Sequence, residues 1–148
     1  MNHTNHILND LVSATRDGKS FYELAATKVD NLELKALFIR LAKVKGDIVN
    51  GLSSEIRAVG EQPAGTGTWS GDFSKHYAEV RALLGDRNYA YVAQLEESED
   101  RLMKAFHKAL NDEKTSANAH TVITRYLPEV QGCHDIMRAQ KMMLKKAA

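Results

Sequence analysis

The chain has 148 residues, enough for one domain with a real core. Its composition is 43% apolar and 26% charged, with a formal net charge of +1, so the strong basic field expected of a nucleic-acid or anionic-membrane binder is missing. One cysteine, Cys133, excludes an internal disulfide, and no apolar run approaches membrane-span length. The start, Met1-Asn2-His3-Thr4-Asn5-His6, has no basic-then-apolar leader pattern. A cytoplasmic single domain over 1–148 is the expectation.

Apolar residues recur at spacings of three and four, the helical period. A first helix is predicted over 4–29, with Ile7, Leu11, Ala14, Gly18, Phe21 and Ala25 on one face and Thr4 as its N-cap. A second is predicted over 32–59 on Leu34, Phe38, Leu41, Ile48, Leu52 and Ile56, closed by Gly60. The connection over 60–87 opens with a glycine-rich stretch and carries a short helix over 73–84, capped by Asp72. A third long helix is predicted over 88–110, with Val92, Leu95, Leu102 and Phe106 inward. A fourth follows over 116–146, with Ile123, Val130, Met137 and Leu144 inward and a kink expected at Pro128. The fold class is therefore all-α, a four-helix bundle of two antiparallel hairpins joined by a long crossover, the ferritin-like arrangement.

Polar residues interrupt the apolar stripes near the middle of three helices. At about 100° per residue, Lys45 lines up with Leu41 and Ile48, and Glu99 with Leu95 and Leu102. His134 lies between Val130 and Met137, and Glu96 stands at the edge of its stripe, whereas Glu23, Glu97 and Asp100 point outward. A buried charge needs a partner. One reading closes the account with a structural layer in which Lys45 pairs with Glu99 and His134 bonds to Glu99 or Glu96. The other is a site for iron or another divalent metal on Glu96, Glu99 and His134. Di-metal bundles use Glu-x-x-His motifs, and none exists here: Gln131 stands three residues before His134, and Lys45 brings a positive charge where a cation would sit.

Asp17-Gly18-x-x-Phe21, Glu33-Leu34-Lys35-Ala36-Leu37-Phe38, Glu96-x-x-Glu99-Asp100 and His134-Asp135-x-x-Arg138 together resemble an uncharacterised bacterial family of ferritin-like four-helix bundles, a domain of unknown function. The resemblance spans about residues 7–141. It implies a ferritin-like fold, the polar set Glu96, Glu99 and His134, and a role under stress. Gly18, Lys45 and Gln131 depart from metal-binding ferritin-like proteins, where ligands are expected.

Other features have plainer readings. The stretch Gly65-Thr66-Gly67-Thr68-Trp69-Ser70-Gly71 lacks the Gly-Lys-Ser/Thr ending of a phosphate loop, and Trp69 reads as a loop anchor or a contact for a protein partner. His3 and His6 offer a metal-chelating pair but read better as a frayed terminus, and Cys133 reads as a small buried core residue rather than a nucleophile served by His134. Met137, Met142 and Met143, with Tyr89 and Tyr91, read as core or as the face of a homodimer. The expectation is a non-catalytic, binding or self-associating bundle without a cofactor. The alternative is a metal-binding or di-iron-type oxidoreductase.

Overall fold

The computed structural model describes residues 3–58, 63 and 86–147. These form four helices: α1 (His3–Lys28), α2 (Leu32–Ala58), α3 (Arg87–Asn111) and α4 (Ala117–Ala147). The expected short helix over 73–84, the glycine-rich stretch and Trp69 lie outside the described residues. Among the described residues there is no strand, and no helix is long and apolar enough to cross a membrane.

Helix ends follow their side chains. Asn31 Oδ1 accepts from the Leu34 amide at 3.0 Å, Asp86 Oδ1 from the Tyr89 amide at 3.3 Å and Ser116 Oγ from the Ala119 amide at 3.2 Å. Each satisfies a donor that the first helical turn leaves free. Thr4 does not have the predicted capping role. It lies inside α1, where its hydroxyl donates to the Lys114 carbonyl at 3.3 Å and accepts from the Ser116 amide at 3.1 Å. His3 Nε2 meets Asp112 Oδ2 at 2.7 Å, so the start of α1 is tied to the α3–α4 turn rather than frayed. α4 stays helical through Pro128.

α1 packs on α2, and α3 on α4; α1 also meets α3, and α2 meets α4, which makes a four-helix bundle with α1–α4 and α2–α3 as its diagonals. His3 beside Asp112 and Asp30 beside Asn88 (2.9 Å) show that α1 and α3 run antiparallel. Since α1 and α2 also form an antiparallel hairpin, α2 and α3 are parallel, and the connection from Ala58 to Asp86 joins opposite ends of the bundle.

The core falls into two apolar clusters along this axis. One holds Leu8, Leu11, Ile48, Leu52, Leu102, Phe106, Ile123 and Val130. The other holds Phe21, Tyr22, Phe38, Leu41, Val92, Leu95, Cys133 and Met137. Lys45 and Glu99 stand between them in sequence on α2 and α3, at the waist of the bundle.

Candidate functional site: a buried polar waist

Lys45 and Glu99 carry side chains 0% and 2% exposed, and Lys45 Nζ forms an ion pair with Glu99 Oε1. The other carboxylate oxygen, Oε2, accepts the Tyr22 hydroxyl at 3.1 Å. The Cys133 thiol lies beside the same carboxylate, whose charge and hydrogen bonding act on it. Thus each helix contributes one residue: Tyr22 from α1, Lys45 from α2, Glu99 from α3 and Cys133 from α4. Beyond Glu99, the Lys45 ammonium has no hydrogen-bond partner among the described residues.

The electrostatics follow from burial. Loss of water, and after it the neighbouring Glu99 charge, holds the Tyr22 phenol well above its ordinary range. Burial also pushes the Cys133 thiol up to about 11, with Glu99 adding to the rise and Lys45 opposing it. Both groups are neutral at physiological pH. Cys133 is therefore a poor nucleophile, because the thiolate is the reactive form.

His134 does not share this layer. Its Nε2 lies 3.7 Å from Glu96 Oε1 and 3.7 Å from Asp100 Oδ1, and its Nδ1 lies 3.3 Å from Asp135 Oδ1. This cluster sits at the rim of the waist, where Lys141 Nζ also approaches Glu96 at 3.7 Å. Among the predicted partners of His134, Glu96 is beside it and Glu99 is not. Asp100, expected to point outward, is only half-turned to solvent: its carboxylate meets Lys104 at 3.0 Å as well as facing His134. Glu97 is exposed and pairs with Arg101 at 3.2 Å, and Glu23 is exposed.

The residue reading missed Tyr22 and the position of Cys133 in the waist. A phenol and a thiol count as core in an apolar pattern, so only the meeting of helices exposes their polar role. Of the proposed oligomer-face residues, Met137 and Tyr91 are buried in the core, whereas Met142 and Met143 are exposed.

A metal at mid-height would need Glu99, but both of its oxygens are engaged, one by an ammonium group. Glu96 and His134 face each other at the rim, away from that carboxylate. Among the described residues, no group of three or more His, Cys, Asp and Glu side chains is placed to hold a metal ion.

No curated protein and no solved structure matches the chain. A family model described as "Domain of unknown function (DUF2383)" matches residues 3–112, which cover α1, α2 and α3, and the chain belongs to that family.

Proposed function

We propose that this protein is a non-catalytic binding or self-associating bundle, in which the Lys45–Glu99 layer takes the place that a di-metal centre has in metal-binding bundles. One observation carries the reading: both oxygens of Glu99 are held inside the core, by Lys45 and by Tyr22. A carboxylate held in this way ties the helices to one another through protein donors, with each of its oxygens already bonded. Buried ionic groups of this kind can fix one packing arrangement over its alternatives. The high-lying Cys133 thiol supports the same reading, since it supplies no nucleophile.

The test is metal binding by the intact, untagged protein. Iron, manganese and zinc are measured after purification, and the apo protein is titrated with ferrous ion while oxygen is followed. Substoichiometric metal and no protein-dependent oxygen uptake are expected. Stoichiometric ferrous binding with oxygen consumption overturns the reading in favour of an iron-handling oxidoreductase.

A further inference from the structure

Near its N-terminus, the outer face of α2 carries large apolar residues, whereas further along the exposed positions Lys43, Asp47, Asn50 and Ser54 are polar. Leu32 is 77% exposed and Ile39 63%, with the small Ala36 exposed between them. Beside this face, α2 and α4 enclose a groove of about 610 Å³ lined by Glu33, Ala36, Leu37, Arg40, Met143 and Leu144. Met143 is itself 62% exposed. Large apolar side chains grouped in this way mark an interaction surface rather than scattered surface residues.

The charges on this face identify the occupant. Glu33 and Arg40 are seven residues apart, two helical turns or about 10.5 Å, and so are Leu32 and Ile39. Both pairs bracket Ala36. A two-fold axis through Ala36, perpendicular to the helix, brings a second α2 across the first in antiparallel register. Glu33 then faces the partner's Arg40, Arg40 faces the partner's Glu33, and Leu32 meets the partner's Ile39. Ala36 meets its own copy, where a small side chain allows close approach. Glu33 and Arg40 have no ion-pair partner within the chain among the described residues. The helix dipole accounts for Glu33 in the first turn of α2 but not for Arg40, which lies nine residues into a helix of 27.

We infer that the α2 face centred on Ala36, with the α2–α4 groove beside it, is a self-complementary interface for a second copy of this chain. It is isologous: one patch supplies both sides, and each charge pair occurs twice. The inference rests on the reading of the protein as self-associating, and names the face that performs it.

Sedimentation equilibrium and light scattering on the intact chain test it. The wild type is expected at twice the chain mass of 16.5 kDa. E33R sets like charges opposite each other at both symmetric positions, as does R40E. Each variant alone is expected to weaken dimerisation roughly 10- to 100-fold, two rim charge pairs being converted to repulsion. An equimolar mixture of E33R and R40E restores two attractive pairs and is expected to re-form a heterodimer near wild-type affinity. Circular dichroism checks that both variants keep the wild-type fold, as exposed positions should.

A wild type that stays monomeric at high concentration overturns the interface, the face then being covered by another part of the chain or by a different protein. A dimer insensitive to both variants, or a mixture that stays monomeric, overturns it equally. None of these outcomes touches the waist, whose reading is tested separately by metal binding.

Discussion

At the residue scale, the Glu99 carboxylate is the centre on which the waist depends. Removing a buried charge partner costs about 3–5 kcal/mol, because the survivor stays buried and unpaired. Lys45→Met is therefore expected to lower unfolding stability by about that amount in urea denaturation. Lys45→Met with Glu99→Leu is expected to recover part of the loss but not all of it, since the Tyr22 hydroxyl is then left without its acceptor. Adding Tyr22→Phe removes that orphan and is expected to bring stability back within about 1 kcal/mol of wild type. A neutral Lys45→Met would mean that the ammonium reaches water through its flexible stem. Lys45 and Glu99 were legible in the sequence, since a charged residue in line with apolar neighbours on both sides has nowhere else to point. His134 was not resolvable in the same way. With Val130 and Met137 marking the inward direction of α4, Cys133 and His134 diverge from it by about 50° to either side. The period cannot choose between them, and the rotation of α4, set by packing against α2 and α3, brings Cys133 to the carboxylate and His134 to the rim.

At the scale of elements, three glycines on helix faces have different physical roles. A β-carbon at Gly51 on α2 would fall on the Tyr126 hydroxyl of α4, so the two helices cross closely there. Gly51→Ala is expected to cost about 1–3 kcal/mol through overpacking, outweighing the gain in helix propensity. Gly18 on α1 is buried, and a β-carbon there meets nothing within 4 Å, as is also true of Gly132 on α4. Gly18→Ala is expected to raise stability by about 0.5–1 kcal/mol by removing the entropic cost of a mid-helix glycine. Thermal unfolding of both variants checks the opposite signs. Nothing in the apolar pattern separates these positions, because the space beside a glycine belongs to the neighbouring helix. The four helices were legible to within a few residues at their ends, since each carries an apolar stripe at helical spacing along most of its length. Thr4 shows where such reading stops: a threonine at a helix start looks like a cap, and only the fold reveals that its hydroxyl serves the α3–α4 turn.

For the whole molecule, the division into two apolar clusters does not make two folding units, because every helix runs through both and crosses the waist between them. α4 makes the point most sharply. Ile123 and Val130 belong to one cluster, Met137 to the other, and all three are fully buried. At roughly 1.5–3 kcal/mol for each such side chain, they account for about 5–9 kcal/mol of burial, against about 5–15 kcal/mol for the net stability of a typical domain. The loss from their partners on α2 and α3 comes on top. The family match over 3–112 therefore ends at the start of a helix that the matched part needs. A chain shortened to end at Asp112 also loses the Ser116 amide that Thr4 accepts from and the Lys114 carbonyl that it donates to. Such a chain is expected to give no cooperative thermal transition and to bind a hydrophobic dye such as ANS, the behaviour of a collapsed state without fixed packing. A sharp two-state melt from the shortened chain would show that three helices suffice, and that the waist is closed by Tyr22, Lys45 and Glu99 alone.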